Sequence, residues 1–309
     1  MSLPEQIPAG AVEVSVIVPA VNAPLLPVTV KSLLEQRTAR PFEILAVGVF
    51  DPATLPADPR LRCTVTPKPV SAGANRNLAL KEARGKYALF TDADCRVAPD
   101  WIERLAARLD EGYRMAGGAY TFPSDNYWTL GENMAILNTL SPDTPAGEVD
   151  IRVGGGNMGL WRETLAELGG FDETFRGGQD NDLAIKLLKA GHKIFFEPRA
   201  LVEHLHPGGS AADLRKHAEV YGKAAVALIL RHPDYYGWNR IRKLWRLRWL
   251  FLLWSPVKAA HQACTVFAGN PGWRRWWREW PAVWLFYFVR RTAMARELRQ
   301  LQTLDRPPA

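Results

Sequence analysis

Two aspartates separated by one residue follow a short apolar run in the segment KYALFTDADCR, residues 86–96. The run Tyr87–Phe90 predicts a buried strand of a mainly parallel sheet, and Asp92 and Asp94 follow it. Ligands of open α/β sheets bind beyond the carboxyl ends of the strands. Two carboxylates placed there repel each other unless a cation lies between them, and oxygen ligands suit Mg²⁺ or Mn²⁺ shared with substrate phosphates. A polar loop whose aspartates cap the next helix is the alternative interpretation.

The residues around the two aspartates predict alternating strands and helices. Apolar, β-branched runs predict strands at residues 12–18, 42–50 and 62–66. Apolar residues at helical spacing predict helices at residues 25–37, 71–84 and 100–109. Because strands and helices of these lengths alternate along the chain, we expect an α/β fold built from βαβ units.

The second half of this region contains a glycine-rich segment and a polar loop. Ile151–Trp161, IRVGGGNMGLW, predicts a strand interrupted by three glycines. Glycine within a strand often marks close approach of a ligand or of another backbone, although a bulge or a tight turn has the same signature. The loop FDETFRGGQDND leads into a predicted helix at 182–190, and short strands are predicted at 193–196 and 200–203, before His204 and His206.

The charge of the chain is divided unevenly along its 309 residues. The net charge is +7, but residues 231–309 contain 15 Lys and Arg against 4 Asp and Glu, whereas residues 1–230 contain 24 against 28. Nine of the 12 tryptophans also lie in the second region, between Trp238 and Trp284. We therefore expect a slightly acidic body at residues 1–230 and a basic, Trp-rich helical appendage at residues 231–309.

Cysteine content and the N-terminus exclude two further classes. Cys63, Cys95 and Cys264 are too few and too scattered for a disulfide framework or a zinc site. The first ten residues, MSLPEQIPAG, contain neither a basic region nor an apolar stretch, so no secretory signal is predicted there.

Several segments, taken in order over residues 12–210, resemble a family-2 glycosyltransferase of the GT-A fold. They are VSVIVPAVN (14–22), SAGANRNLAL (71–80), KYALFTDAD (86–94), GGGNMGLWRE (154–163), GGFDETFRGGQDNDLAIKLLKAGHKIFFEP (169–198) and Glu203-His204. The resemblance implies a Rossmann-like nucleotide-binding half and a mixed sheet. It also implies the membrane-associated type of enzyme that assembles bacterial surface polysaccharides.

The resemblance implies a nucleotide-diphosphate sugar as donor, with UDP the default nucleotide, and Mn²⁺ or Mg²⁺ as cofactor. The metal is expected at Asp94 most directly, with Asp92 nearer the ribose and sugar and His204 as a further ligand or phosphate contact. A structural histidine is the alternative for His204, and His206 is the weaker choice. The implied donor-binding residues are Pro19, Asn22, Asp51, Gly73, Arg76, Asn77, Asp92, Asp94 and Asn157. Arg76 is expected near the diphosphate, where a guanidinium suits phosphate oxygens.

Transfer with inversion requires a base that takes the proton of the acceptor hydroxyl, and a carboxylate at a helix N-terminus suits this role. The family's Glu-Asp motif corresponds to Gln179-Asp180, which makes Asp180 the predicted base. Asp182 is the neighbouring alternative, for which a helix-terminal carboxylate is the simpler interpretation.

Two positions depart from the family pattern. Gln179 replaces the usual glutamate, so the position can still form a hydrogen bond with an acceptor but carries no charge. Gly48 and Val49 stand where the family commonly has two acids, one of which recognises the base, and Asp51 follows slightly later. The identity of the nucleotide therefore stays open.

The appendage contains two clusters of tryptophan and arginine, WNRIRKLWRLRWLFLLWSPVK at 238–258 and WRRWWREWPAVWLFYFV at 273–289. Their apolar runs are shorter than the roughly 20 residues that a spanning helix requires. Basic, Trp-rich amphipathic helices lie in the membrane interface and favour anionic lipid, which predicts peripheral or monotopic attachment to the cytoplasmic face of the inner (plasma) membrane. A packed helical hairpin on the catalytic domain or an oligomer interface is the alternative. Nucleic-acid binding is not expected with so many large apolar residues.

The sequence thus predicts a metal-dependent inverting glycosyltransferase that acts on a membrane-presented acceptor such as a lipid-linked glycan. One alternative is a nucleotidyltransferase acting on sugar phosphates, disfavoured because the turn after the first strand, PAVNAP, lacks a basic glycine-rich loop. The other is a membrane-bound scaffold of the same fold that has lost catalysis, for which Gln179 and Gly48-Val49 are the only indications.

Overall fold

The computed structural model describes residues 12–123, 126–151, 153–206 and 209–301, and these form two compact units. The first, here called the sheet unit, comprises the described residues of 12–123, 139–174 and 179–205. The second, the helical unit, comprises those of 126–138, 175–178 and 206–301.

The sheet unit contains nine strands. They are β1 (Val14–Val21), β2 (Phe42–Val49), β3 (Leu61–Val65), β4 (Tyr87–Thr91), β5 (Cys95–Val97), β6 (Met115–Thr121), β7 (Gly147–Val149), β8 (Asn157–Trp161) and β9 (Ile194–His204). Its helices are α1 (Leu26–Leu34), α2 (Ala72–Glu82), α3 (Trp101–Asp110), α5 (Arg162–Glu167) and α6 (Gln179–Lys189), and Pro52–Thr54 forms a 3₁₀ turn.

The strands form one mixed sheet in the order β3-β2-β1-β4-β8-β6-β9-β5, with β7 paired to β9. The first four are parallel, whereas β8 is antiparallel to both β4 and β6. Parallel strands covered on both faces require continuous apolar runs. The fully buried Val16, Ile17 and Leu89 meet this requirement. The predicted α/β class with a mixed sheet is confirmed.

Two predicted strands differ from the observed ones. The strand predicted over Ile151–Trp161 is confined to β8, because Gly154–Gly156 forms a turn closed by an isolated bridge between Gly154 and Asn157. The two short strands predicted at 193–196 and 200–203 are instead one strand, β9, whose pairing with β6 shifts register between Gly118 and Ala119.

The helical unit contains seven helices among its described residues. They are α4 (Tyr127–Leu137), α7 (Ala211–Arg231), α8 (Pro233–Tyr236), α9 (Trp238–Arg246), α10 (Arg248–Leu253), α11 (Ser255–Gly269) and α12 (Trp280–Gln300), with a 3₁₀ segment at Pro271–Glu279. Of the helices that the structure describes, none has the length and apolar character needed to span a membrane.

The boundary between the units differs from the one predicted at residue 230. The helix α7 belongs with the appendage because it packs closely on α12. A Cβ at Gly222 of α7 would lie 2.5 Å from the Arg290 carbonyl oxygen and 2.7 Å from Ala293 Cβ, so only glycine permits this approach. Tyr287 of α12 in turn donates a hydrogen bond to the Ala135 carbonyl of α4.

Asn157 of β8 joins three other elements of the sheet unit, and its predicted contact with the donor stays a prediction. It is completely buried. Its amide Nδ2 donates to the carbonyls of Ala119 and Ala200 at 2.9 Å each, and its Oδ1 accepts from Trp101 Nε1 at 2.7 Å. Because both polar atoms of its amide form hydrogen bonds within the protein interior, Asn157 stabilises the junction of β6, β8, β9 and α3.

Asn157→Ala is therefore expected to lower the free energy of unfolding by about 3 kcal/mol, because it leaves buried polar groups without partners. The matched control is Asn75→Ala, since Asn75 is also completely buried but neither atom of its amide has a partner among the described residues. Removing an unsatisfied amide is expected to be neutral or stabilising. Urea denaturation of the ligand-free chain measures both variants, and equal losses would contradict this account of Asn157.

Candidate active site

The parallel half of the sheet delivers several of the predicted residues to one edge. Asn22 follows β1, Asp51 follows β2 and Asp92 follows β4. Since β1 pairs in parallel with both β2 and β4, these three chain ends lie at the carboxyl edge of adjacent strands, where α/β sheets bind ligands. Pro19 lies in the central strand β1 although proline has no N–H to donate to a neighbouring strand. This is tolerated because the pairing of β1 with β4 ends at Ile17, before Pro19.

Arg76 connects the first aspartate of the motif to the glycine-rich turn. Its Nη2 donates to Asp92 Oδ1 at 2.8 Å and to the Gly155 carbonyl at 3.1 Å. The arginine is only 4% exposed, and its guanidinium lies over the ring of Phe171, 5.5 Å from the ring centre. A buried cation is therefore held between a carboxylate and a backbone carbonyl, and its Nε has no hydrogen-bond partner among the residues described.

Asp180 contacts the same turn through the N–H of Gly155, whose carbonyl binds Arg76. The Gly155 N–H donates to Asp180 Oδ2 and the Asn181 N–H donates to Asp180 Oδ1, both at 2.9 Å. The carbonyl of Gly155 binds Arg76 and its N–H binds Asp180, so this one residue links the motif aspartate to the predicted base. Sequence reasoning identified the glycines but missed this bridging role.

The glycines of the turn are required by crowding. A Cβ at Gly156 would lie 2.4 Å from Asp92 Oδ2, and one at Gly155 would lie 3.2 Å from Arg76 Nη2. A Cβ at Gly154 would lie 2.6 Å from the hydroxyl of Tyr120, a buried residue whose pKa is raised by desolvation and by the nearby carboxylates. The close approach of side chains to this backbone explains why the strand pattern is interrupted here.

Desolvation raises the pKa of Asp180, and the neighbouring hydrogen-bond donors and Arg76 partly oppose the shift. The carboxylate lies in the first turn of α6, where the helix dipole also favours its ionised form. An aspartate with a raised pKa accepts a proton more readily than an exposed one, which suits a general base.

Asp182, the alternative base, is fully buried and forms an ion pair with Lys186 at 2.7 Å. It is therefore a structural carboxylate of α6. The predicted acceptor residue Gln179 is also buried, and its Oε1 lies 3.5 Å from Arg76 Nη1. A Cβ at Gly73 would lie 3.0 Å from Gln179 Nε2, so the glycine of α2 makes room for the glutamine.

The second aspartate of the motif pairs with the predicted histidine. Asp94 Oδ2 lies 3.6 Å from His204 Nε2. The sheet fixes this arrangement, because β5 is antiparallel to β9 with Cys95 opposite His204, and the Leu205 N–H donates to the Asp94 carbonyl. His206, the weaker candidate, belongs to the helical unit, where its ring lies 6.1 Å from that of His217.

Across the described ranges, no group of three or more His, Cys, Asp and Glu side chains is arranged to hold a metal by itself. A carboxylate and an imidazole at Asp94 and His204 nevertheless fit a divalent cation whose other ligands are substrate phosphates and water, as is usual for Mg²⁺ and Mn²⁺. Asp92, also predicted as a ligand, instead has one oxygen bonded to Arg76.

Asn77, predicted to bind the donor, contacts the loop before α6 with both polar atoms of its amide. Its Nδ2 donates to the Phe171 carbonyl at 2.8 Å and to Glu173 Oε1 at 2.9 Å, and its Oδ1 accepts from the Phe171 N–H at 2.9 Å. The two residues of the Arg-Asn pair therefore act differently. Asn77 holds the loop after Gly170 on α2, and that loop places the Phe171 ring against the guanidinium of Arg76.

The end of β2 explains the missing acids. Gly48 has φ of +142°, and a Cβ there would lie 1.8 Å from the Ala20 carbonyl oxygen, so no side chain fits. Asp51 is exposed, and its Oδ1 accepts from the Ala53 N–H, which caps the following 3₁₀ turn. Asn22 adopts a left-handed conformation with φ of +49°, which asparagine tolerates better than most residues.

Asn75 is a residue that the sequence reasoning missed. A Cβ at Gly48 would lie 3.1 Å from its Nδ2, which places the amide beneath the end of β2. A buried amide without partners is costly, and a polar group of a bound ligand would satisfy it. Its position next to Arg76 was the only signal in the sequence.

Comparison with known proteins finds a family profile that matches part of the chain. The profile of Glycosyl transferase family 2 matches residues 50–169, which include Arg76, Asp92, Asp94 and the glycine turn but neither Asp180 nor His204. A pre-mycofactocin glycosyltransferase of Mycobacterium tuberculosis is 28% identical over 168 residues, covering 52% of this chain and 35% of the relative. The O-antigen biosynthesis protein RfbC of Myxococcus xanthus is 28% identical over 247 residues, covering 69% of this chain and 19% of the relative.

A solved structure shares the fold. The mannosyltransferase PcManGT from Pyrobaculum calidifontis, in complex with GDP-Man and Mn²⁺, superposes with a TM-score of 0.54 at 21% identity, over 69% of this chain and 64% of the other. The chain matches only about a third or less of the length of the curated relatives named above. The profile match over residues 50–169 and the two relatives show a resemblance to glycosyl transferase family 2, and the chain shares the fold of the mannosyltransferase.

Proposed function

We propose that the chain is a metal-dependent inverting glycosyltransferase that moves a sugar from a nucleotide-diphosphate sugar to a membrane-presented acceptor. The observation that carries this proposal is the continuous contact from Asp92 through Arg76 and Gly155 to Asp180. It connects the donor residues at the end of β4 to the proposed base at the start of α6.

The donor half consists of Arg76, Asp92, Asp94 and His204. Asp94 and His204 would hold Mn²⁺ or Mg²⁺, which when bound neutralises charge on the departing diphosphate. Arg76 is a second source of positive charge, and its buried guanidinium is preorganised by Asp92 and Gly155. The complex of PcManGT with GDP-Man and Mn²⁺ supports a nucleotide-sugar donor and a divalent metal. Both UDP and GDP sugars are to be tested because Gly48 leaves no acid at the end of β2.

The chemical step needs one proton acceptor. The oxygen of the acceptor hydroxyl forms a bond to the anomeric carbon while the bond from that carbon to the diphosphate oxygen breaks. The hydroxyl proton passes to the Asp180 carboxylate, and the nucleoside diphosphate leaves with the electron pair. Attack from the face opposite the leaving group inverts the anomeric configuration. Asp180 is held for this role by the N–H groups of Gly155 and Asn181.

A lipid-linked intermediate of surface-polysaccharide assembly is the acceptor class we propose. The match to an O-antigen biosynthesis protein and the basic, Trp-rich helical unit support this class. The corresponding location is the cytoplasmic face of the inner (plasma) membrane, with peripheral or monotopic attachment.

Removal of divalent metal is expected to abolish release of nucleoside diphosphate from the donor, and Mn²⁺ is expected to restore it.

Asp94→Ala is expected to weaken metal-dependent nucleotide binding by about 10–100-fold, because it removes a ligand carboxylate. Thermal shift and titration calorimetry with UDP and GDP, with and without Mn²⁺, measure the effect. The exposed Asp143→Asn serves as a control that keeps binding intact. Equal nucleotide affinity in Asp94→Ala and the native chain would contradict the assignment.

Asp180→Asn is expected to lower kcat by about 10²–10⁴-fold while donor binding persists, because the amide cannot accept the hydroxyl proton. Desolvation raises the pKa of Asp180, and the base acts only when ionised. Activity therefore falls as the pH drops through that raised pKa. This acid limb of the pH profile occurs at a higher pH than the one at which an exposed aspartate is protonated. The pH profile of kcat/KM measures the limb. An Asp180→Asn variant that retains native kcat and the same limb would assign the base elsewhere.

A further inference from the structure

The helical unit presents an apolar stripe to solvent along α10 and the start of α11. The stripe, defined as Leu250, Leu253, Trp254 and Val257, is spaced at i, i+3, i+4 and i+7, so its members share one helix face. Leu253 is 75% exposed, and the other three are between 48% and 59% exposed. Trp249 and Leu247 beside it are also exposed. Large apolar side chains aligned on one exposed face indicate an interaction surface.

The opposite face of the same segment is committed to the fold of the helical unit. On α11, Ala259, Ala263 and Val266 are buried, and α11 packs against α12. The Ser255 hydroxyl donates to the Phe251 carbonyl, which keeps the junction of α10 and α11 helical. The apolar stripe is therefore the outward face of an anchored segment whose inner face is already used.

The charge of the segment that contains the apolar stripe has one sign. Residues 238–278 contain nine Lys and Arg and no Asp or Glu. The exposed members whose side chains are described are Lys243, Arg246, Lys258, Arg274, Arg275 and Arg278. A segment of this composition attracts an anionic partner, because it has no acidic side chain that would repel that partner.

Two arginines of α12 pack on aromatic side chains of α10. The guanidinium carbon of Arg299 lies 4.0 Å from the centre of the Trp249 ring, and that of Arg291 lies 4.2 Å from the Phe251 ring. The Nε of each has no hydrogen-bond partner among the described residues. Cation–π contacts of this kind hold α10 on α12.

We propose that the apolar stripe docks the protein on an anionic phospholipid surface, with Leu253 and Trp254 entering the boundary between headgroups and acyl chains. The basic side chains around the stripe contact lipid phosphates. A second copy of the chain fits poorly, because a symmetric contact would place the same acid-free, basic segment against itself. The inference deepens the proposed function, on which it rests for the membrane-presented acceptor, by assigning the face that meets the membrane.

The full chain with Leu253→Ser and Trp254→Ser tests the apolar part. On vesicles containing about one third anionic phosphatidylglycerol in phosphatidylcholine, the vesicle partition coefficient is expected to fall by about 10–100-fold. The matched control is Val65→Ser on β3 of the sheet unit, where an exposed valine of similar accessibility lies outside the stripe. This control is expected to bind as the native chain does. Since all three residues are exposed, thermal unfolding should be unchanged in each variant.

Arg246→Gln with Lys258→Gln tests the charge. Binding to the anionic vesicles is expected to fall by about tenfold, whereas residual binding to pure phosphatidylcholine should not change. Lys68→Gln with Lys81→Gln removes the same charge from exposed lysines of the sheet unit and is expected to have no effect.

Undiminished vesicle binding by the Leu253→Ser, Trp254→Ser variant would overturn the proposal. The proposal would also be overturned if the native chain does not bind vesicles but forms a dimer in sedimentation equilibrium that this variant abolishes. That result would assign the stripe to a contact between two copies of the chain. Donor hydrolysis measured without lipid in the same preparations separates the two proposals. Vesicle binding without hydrolysis would contradict the proposed catalysis alone, and hydrolysis without stripe-dependent binding would contradict the docking surface alone.

Discussion

Arg76 brings a positive charge into the interior of the sheet unit, and the elements of the candidate site are arranged around it. A buried guanidinium is stable only if its charge and its donors are matched, and here Asp92, the Gly155 carbonyl, the Phe171 ring and Gln179 surround it. These partners come from the end of β4, the turn before β8, the loop before α6 and α6 itself. The requirement to satisfy one cation therefore ties together segments that are far apart in sequence.

The same constraint explains the composition of the turn at residues 154–156. Its carbonyl must reach Arg76 and its N–H must reach Asp180, while Asp92 and Tyr120 press against it from the side. Only glycine leaves room for all of these contacts. Asp180 is consequently desolvated yet held by two main-chain donors, a combination that retains its basicity and fixes its direction. The proposed base would need no neighbouring carboxylate in this position, which is consistent with an uncharged Gln179.

Local pattern was sufficient to predict the parallel strands and the approximate positions of Asp92 and Asp94, because strand ends carry direct sequence signals, whereas Asp180 was predicted from the family resemblance and the start of α6 lies three residues before the predicted one. Pairing across the sheet was less accessible: the Asp94–His204 contact depends on β5 lying against β9, and only the family resemblance anticipated it. The contacts that Asn157 and Asn77 make within the fold were not predicted, because an amide serving the fold and one serving a ligand look alike in a sequence. Gly48 appeared as a missing acid, and only its left-handed backbone against Ala20 shows the steric reason.

The product released from the donor tests the central claim most directly, because it reports which bond breaks. Anion-exchange chromatography of reactions of the full chain with Mn²⁺ and a panel of UDP and GDP sugars follows that product. The account predicts slow appearance of a nucleoside diphosphate, retained in the vesicle-binding variants and lost in Asp94→Ala. In a parallel reaction of UTP or GTP with a sugar phosphate, formation of the nucleotide sugar with release of pyrophosphate would indicate a nucleotidyltransferase instead. No turnover of any donor, with Asp94→Ala binding nucleotides as the native chain does, would contradict the assignment of an enzyme.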